Sequence, residues 1–181
     1  MVSNEPGLMM KRALVRGLLV AIAVAYSSIG FTSSKPAKAS APLSADEVAI
    51  YQAILRQYSE KASSPLNVAN TTVPLNPDTQ TNPCLQGIKL ENLPAASHSF
   101  HELTGEIVAG TNARLVDPKK HSKIVGLFSM SEIAFDKEHR NAVVGYSLWC
   151  GSQCGEGATV VFEKINGVWR DEHRKCGQWI F

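Results

Sequence analysis

The stretch ATVVFEKINGVWRDEHRK, residues 158–175, decides the fold predicted for this chain. Apolar and polar residues alternate around the dipeptide Asn166-Gly167, and Asn-Gly between two such runs is the strongest short signal for a β-hairpin. Two more apolar runs lie upstream, at residues 124–135 and 142–150, with a charged turn between them. The last 58 residues therefore predict four antiparallel strands in sequential order.

The segment LSADEVAIYQAILRQYSEK, residues 43–61, predicts an amphipathic helix from Ala45 to Lys61. Ser44 and Glu47 form a capping-box pattern at its start. Apolar residues recur at helical spacing, namely Val48, Tyr51, Ile54, Leu55 and Tyr58.

A second helix is predicted within residues 97–110, where Phe100, Leu103, Ile107 and Val108 share one helical face. The predicted fold class is α+β, with N-terminal helices packed on one face of a four-stranded antiparallel meander. That arrangement is similar to the cystatin-like and nuclear-transport-factor-2-like folds, an analogy of fold from which no function follows. A ligand of such a domain is expected on the concave side of the sheet.

The remaining segments are predicted to be largely irregular. Residues 62–86 are rich in Asn, Thr, Ser and Pro and predict a long loop, with a short extended piece near residues 71–75. Residues 87–93 predict a short strand. Residues 111–125 predict an irregular segment with an exposed basic turn, which contains Pro118, Lys119, Lys120, His121 and Lys123.

The N-terminal residues predict a secretory signal. Basic side chains at Lys11, Arg12 and Arg16 precede an apolar run, and AKA at residues 37–39 has the small-x-small pattern of a signal-peptidase site. The run is shorter than the roughly 20 residues that span a bilayer. We predict a signal peptide at residues 1–39. An uncleaved N-terminal membrane tether stays open as the alternative, and so does a start at Met1, Met9 or Met10.

The predicted mature chain is a single α+β domain, residues 40–181, secreted or periplasmic. The full chain carries a net charge of +2, but residues 40–181 keep 13 basic and 15 acidic side chains, a net charge of −2. The basic charge therefore belongs to the signal, so we expect no nucleic-acid partner and no stable membrane anchor after cleavage. The ligand or protein partner and the oligomeric state do not follow from the sequence.

Four cysteines lie in the predicted mature domain, namely Cys84, Cys150, Cys154 and Cys176. An even count in an exported chain predicts disulfides, and four cysteines allow three pairings. We favour 150–154 with 84–176, because glycines around the first pair allow a tight turn and the second pair would tie the long loop to the last strand. The two crossed pairings stay open.

Metal and redox roles for these cysteines are alternatives. A thioredoxin-like redox pair opens a helix that lowers the thiol pKa, whereas Cys150 and Cys154 precede glycines and a β-branched run. A structural zinc site needs four ligands, and further ones would have to come from the other two cysteines or from His98 and His101. We predict neither a cofactor nor a metal site.

Acid–base chemistry has one candidate group, His98, His101 and Glu102, and a hydrolase-like enzyme using it is the alternative function. Other histidines lie in charged stretches, and Ser129 and Ser131 lack a G-x-S-x-G context. We predict no catalytic residue. Alternating charges near the C-terminus indicate a solvated strand, on which Arg170 and Arg174 share a face and are candidate ligand-facing residues for an anion.

Residues 131–180 resemble a loosely defined group of small exported bacterial proteins of unknown function. The shared pattern is S-x-I-x-F, an alanine-led strand, a C-G-x-x-C-G-x-G hairpin, K-x-x-G-x-W and a terminal W-I. These positions are Ser131, Ile133, Phe135, Ala142, Cys150 to Gly157, Lys164, Gly167, Trp169, Trp179 and Ile180. The resemblance implies no activity. We therefore predict an exported, disulfide-stabilised binding or envelope-accessory domain without catalytic activity.

Overall fold

The computed structural model describes residues 41–75, 82–91, 101–120, 126–151 and 153–180, all within one unit from Lys38 to Phe181. The predicted signal peptide lies outside the described residues. So do His98, Pro94, His121 and Lys123.

Helix α1, Ala45–Ser59, begins at the residue predicted from the sequence and ends two residues earlier. Its capping box is formed: the Ser44 amide donates to Glu47 Oε2 at 2.6 Å, and the Glu47 amide donates to Ser44 Oγ at 3.3 Å. The side chains of one helical face are buried, including Ile50, Tyr51, Ile54 and Leu55. Amphipathic periodicity thus places α1 against the sheet.

Seven strands among the described residues form one mixed sheet. They are β1 (Leu66–Ala69), β2 (Leu90–Glu91), β3 (Ala113–Val116), β4 (Leu127–Asp136), β5 (Asn141–Gly151), β6 (Cys154–Ile165) and β7 (Val168–Ile180). Their spatial order is β3-β1-β4-β5-β6-β7, and β2 pairs with the far end of β4. β1 runs parallel to both β3 and β4, whereas β4 to β7 are antiparallel.

The predicted fold class is therefore wrong. The four C-terminal strands belong to a larger mixed sheet, and α1 is the one helix of several turns in the described part of the chain. Segments predicted to be loop, residues 62–86 and 111–125, contribute the parallel strands β1 and β3. These strands have four residues each, too few for periodicity to be recognised. Their backbone hydrogen bonds come from pairing, of β1 with β4 and of β3 with β1.

The second predicted helix is also wrong over residues 101–104, and residues 97–100 lie outside the described part of the chain. Helix α2 is only Gly105–Val108, and Glu102 forms an antiparallel bridge with Thr71 instead. The Leu103 amide donates to Asn70 O at 2.8 Å, and the Thr72 amide donates to His101 O at 3.1 Å. Extended pairing with the segment after β1 satisfies this backbone, so helical spacing of apolar residues did not produce a helix.

The sheet has two faces of different character, which we call the helix face and the disulfide face. On the helix face, α1 covers large apolar side chains that include Phe128, Met130, Val144 and Phe162. Lys164 at this face donates to both carboxylate oxygens of Asp46, each at 2.9 Å, and so ties the start of α1 to β6. The disulfide face has a smaller core of Leu75, Leu85, Ala134, Val143, Val161 and Cys176.

Bulges interrupt the ladder in two strands. In β4, the register shifts between Met130 and Ile133, so Ser131 and Glu132 together oppose Gly145 of β5. In β7, the register against β6 shifts twice, and His173 and Gly177 have φ values of 58° and 62°. The β4 bulge places a carboxyl group in the interior, and the β7 bulges bend a strand at the edge of the described sheet.

Candidate functional site

The two cysteine pairs favoured by the sequence lie at bonding distance. Cys150 and Cys154 join the ends of β5 and β6, with Cα atoms 5.1 Å apart and Gly151 between them at φ 140°. Cys84 and Cys176 are separated by 92 residues and have Cα atoms 5.6 Å apart. Both separations fall within the range that a disulfide requires.

The long-range pair anchors a cover over half of the disulfide face. Cys84 lies in a short 3₁₀ helix, Pro83–Leu85, which begins with an Asn82 side-chain cap. Leu85 and the neighbouring Ile88 and Leu90 pack with Cys176 against the sheet. These residues bury the row that contains Val143 and Val161. Within the described part of the chain, the next rows toward the hairpin tip are left uncovered.

An open groove of about 220 Å³ occupies that uncovered part. The floor follows from the cross-strand register. One row consists of Ser129, Ser147, Gly157 and Trp179, and the next contains Gly145 and Thr159. Because side chains in one row point to the same side of a sheet, hydroxyl groups and glycines form the base. Val73, Pro74 and Leu75 form the opposite wall.

Trp179 closes one end of the groove. Its indole lies over Gly157, and a Cβ atom at Gly157 would stand only 2.5 Å from two indole carbons. Glycine at this position is therefore what lets the ring lie flat against β6. The Trp179 side chain remains 38 % exposed, so one part of it packs on the sheet and another part faces solvent.

A second cluster of polar groups surrounds Glu132, which is only 4 % exposed. Its Oε1 accepts hydrogen bonds from the Thr72 hydroxyl and from the His101 amide, the latter at 3.1 Å. Its Oε2 lies 2.6 Å from His101 Nδ1. Such a set of partners is what a buried carboxyl group needs to offset the loss of hydration.

The β4 bulge that carries Glu132 is held from the helix face as well. The Tyr51 hydroxyl donates to Ser131 O at 2.9 Å. Burial raises the pKa of Tyr51 far above its ordinary value, and the nearby Glu132 adds to this effect, so the phenol remains a neutral donor. Ser131 Oγ accepts from the Gly145 amide and donates to Glu132 O, each at 2.7 Å.

Two of the three residues predicted for acid–base chemistry, His101 and Glu102, are described, and they are not brought together. His101 faces Glu132, not Glu102, and Glu102 is exposed beside the Thr71 bridge. His139 stacks on Phe135 with ring centroids 4.8 Å apart, and His173 lies beside Asp171. The described histidines are therefore distributed over separate parts of the surface.

The arginines suggested for an anion differ in their surroundings. Arg170 is exposed, opposite Glu163 in the β6–β7 ladder. Arg174 donates to Cys84 O at 2.9 Å and to Glu172 Oε2 at 2.5 Å. The guanidinium of Arg174 thus helps to fasten the segment that contains Cys84 to β7.

Sequence reasoning missed both the groove and the Glu132 cluster. The groove had a signal: small residues, Gly145, Ser147 and Gly157, occur at alternate positions of otherwise β-branched strands. The Glu132 cluster had none, because its partners are 31 and 60 residues away along the chain.

Another depression, of about 390 Å³, lies near the end of α1. Its lining includes the long side chains of Gln57, Lys61 and Glu156, whereas the groove floor is made of strand backbone and short side chains. A floor of that kind is already formed before a ligand arrives, which is typical of binding sites. We therefore take the groove as the candidate site.

Across the described ranges, no helix is long and apolar enough to cross a membrane. The same residues contain no group of three or more His, Cys, Asp or Glu placed to hold a metal ion. Comparison with protein families, with characterised proteins and with solved structures finds no significant match.

Proposed function

We propose that this chain is an exported binding domain, without catalytic activity, which holds a small ligand in the groove of the disulfide face. The observation that carries the proposal is the uncovered floor of Ser129, Ser147 and Thr159, walled by Trp179 and by residues 73–75. A few hydrogen-bonding groups set among apolar walls are typical of small-molecule sites. Two disulfides and the predicted signal support export.

The hydrolase alternative is less well supported. The pairing of His101 Nδ1 with Glu132 Oε2 at 2.6 Å would orient an imidazole for acid–base work. However, two hydroxyls beside this pair already donate hydrogen bonds within the protein. The Thr72 hydroxyl donates to the Glu132 carboxylate, and the Ser131 hydroxyl donates to Glu132 O. A nucleophile would have to leave these bonds, so the cluster is better explained as internal support for the β4 bulge.

Amide chemical shifts with a library of small polar fragments test the proposal. In ¹⁵N-labelled protein, we expect fragments to shift the amides of Ser129, Ser147 and Thr159. The substitution Ser147→Phe should abolish these shifts by filling the floor, whereas Glu60→Phe, an exposed change beyond the end of α1, should leave them intact.

The same chemical-shift measurement can contradict the proposal. Fragment shifts that cluster around Tyr58 and Glu156, or shifts in the groove that survive Ser147→Phe, would show that the groove is not the binding site. Turnover of ester or amide substrates that is lost in Glu132→Gln would instead establish the hydrolase alternative.

A further inference from the structure

We infer that the ligand of the groove is a neutral saccharide, with one sugar ring against Trp179 and the chain continuing toward Trp149. This inference rests on the proposed binding function and specifies its ligand class. Three features carry it: the charge of the lining, the chemistry of its hydroxyls, and the position of the two tryptophans.

Among the residues that the structure describes, the lining contains no charged side chain. Its polar side chains are the hydroxyls of Ser129, Ser131, Ser147 and Thr159, with the indole of Trp179 beside them. A ligand that carries a carboxylate, phosphate or ammonium group would lose hydration here without gaining an opposite charge. Electrostatic complementarity with the groove therefore favours a neutral ligand.

Hydroxyl groups at the floor match a ligand that is itself rich in hydroxyls. Each Ser or Thr hydroxyl is both a donor and an acceptor, as is each hydroxyl of a sugar, so either partner can adopt the role that the other leaves open. Ser131 already bonds to Glu132 O and to the Gly145 amide. Ser129, Ser147 and Thr159, all half-buried in the floor, are thus the hydroxyls best placed for a ligand.

Trp179 supplies the apolar surface that a sugar also needs. One side of a pyranose ring presents C–H groups, which pack against the negative face of an aromatic ring. The indole, held over Gly157 and 38 % exposed, borders the hydroxyl row at the end of the groove. A sugar ring in the groove could therefore contact indole and hydroxyls together.

Trp149 adds a second exposed indole on the disulfide face, beyond the groove and toward the hairpin tip. It pairs with Leu127 and Gly155 in the adjoining row of the same face and is 48 % exposed. Trp149 lies two strands away from Trp179 and one two-residue step further along the sheet. These spacings place the two Cα atoms roughly 12 Å apart. The groove of about 220 Å³ is also smaller than typical drug-sized pockets. One ring fills it, so a useful affinity requires an oligosaccharide that reaches the second indole.

Titration calorimetry with defined neutral oligosaccharides tests the inference in the intact chain. The probes are disaccharides and tetrasaccharides of glucose, mannose and N-acetylglucosamine, with galacturonic acid oligomers as the charged comparison. We expect binding by at least one neutral series, tighter for the tetrasaccharide, and none by the charged one. Trp179→Ala should weaken binding by about tenfold or more.

Matched variants locate the sugar. Trp149→Ala should weaken the tetrasaccharide and leave the disaccharide unchanged. Gly157→Ala should act like Trp179→Ala, because the new methyl displaces the indole, whereas Gly105→Ala has no described atom within 4 Å to meet and should bind normally. Trp169→Phe changes a buried side chain of the helix face and serves as the tryptophan control.

The failures are distinguishable. If fragments bind in the groove but no neutral oligosaccharide does, the ligand class is wrong and the binding function stands. If a sugar binds equally well to the Trp179→Ala and Gly157→Ala variants, the placement is wrong. Preference for the charged oligomers would overturn the charge argument.

Discussion

The two faces of the sheet are closed by different means. The helix face is covered by the buried side of α1 and by large side chains such as Tyr51 and Phe162, which need no covalent link. Among the described residues, the disulfide face has a core of six buried residues, of which Cys176 is one, and a short covering segment that the Cys84–Cys176 bond holds in place. Packing thus stabilises the first face, while the second depends on a cross-link and leaves room for a groove.

The largest effect should come from removing the long-range cross-link. The double substitution Cys84→Ala/Cys176→Ala frees a chain segment whose ends are 92 residues apart, so the unfolded state gains entropy worth about 4–5 kcal/mol. Guanidinium unfolding of the variant and the wild type measures the loss. A loss no greater than that of the hairpin disulfide would contradict the dependence of the disulfide face on its cross-link.

The helix face should be sensitive to packing alone. Ile54, 2 % exposed on α1, packs into the core of this face. Ile54→Ala should destabilise the protein by about 3–4 kcal/mol, as truncations in well-packed cores do. The exposed neighbour Arg56→Ala is the control and should change stability by less than about 0.5 kcal/mol. Equal effects of the two changes would show that α1 does not seal this face.

Asp136 stabilises the turn between β4 and β5, at the end of the sheet away from the groove. Burial raises its pKa, but hydrogen bonds from Asn141 and Arg140 outweigh this, so the pKa in the folded protein lies below its ordinary value. The carboxylate accepts from the Arg140 amide at 2.7 Å and from the Asn141 amide and side chain at 3.0 and 2.7 Å.

A group whose pKa falls on folding stabilises the protein above its unfolded pKa, and this contribution disappears as the pH drops through the folded pKa. Asp136→Asn should therefore cost about 2–3 kcal/mol at pH 7, the value of charge-assisted hydrogen bonds to a buried carboxylate. The difference from wild type should shrink below about pH 4, where the unfolded carboxyl begins to take up its proton. Urea unfolding between pH 2 and 7 measures it, and a difference independent of pH would be the contrary result.

The smallest effect should follow the loss of the hairpin disulfide. Cys150→Ala/Cys154→Ala opens a link of only four residues, for which chain entropy predicts about 2 kcal/mol. We expect this variant to keep the folded core and to lose order mainly between β5 and β6. Hydrogen exchange of amides in residues 147–157 should rise while those of β4 stay protected. Global unfolding of this variant would mean that the tip supports the whole sheet.

Elements with strong local signals could be predicted from the sequence, whereas elements defined by distant pairing could not. Helix α1 and the hairpin at Asn166-Gly167 have strong local signals, a capping box and a turn dipeptide, and both are found where predicted. The parallel strands β1 and β3 have only four residues each. β1 pairs with β4 and β3 pairs with β1, so both depend on partners that are distant in sequence. Local signals were therefore correct where a capping box or a turn dipeptide marked the element, whereas helical spacing alone was wrong for residues 101–104. The fold class was wrong because the missing strands are short.

The candidate site was also predicted only in part. The pairing of Cys84 with Cys176 was favoured from the sequence, and the structure brings these residues together. The groove was not anticipated, because alternation predicts which face a residue takes but not which part of that face is covered. That depends on where residues 73–75 and 84–90 cross the sheet, and these lie in segments without periodicity.

The bulges of β7 have a consequence for the behaviour of whole molecules in concentrated solution. β7 ends the described sheet on one side, and a flat, regular strand there would offer free amides and carbonyls to the sheet of another copy. Two register shifts and the turned backbone at His173 break that regular row, and charged side chains such as Arg170 lie along it. The strand that ends the described sheet is thus shaped to disfavour the edge-to-edge addition of a strand from a neighbouring molecule.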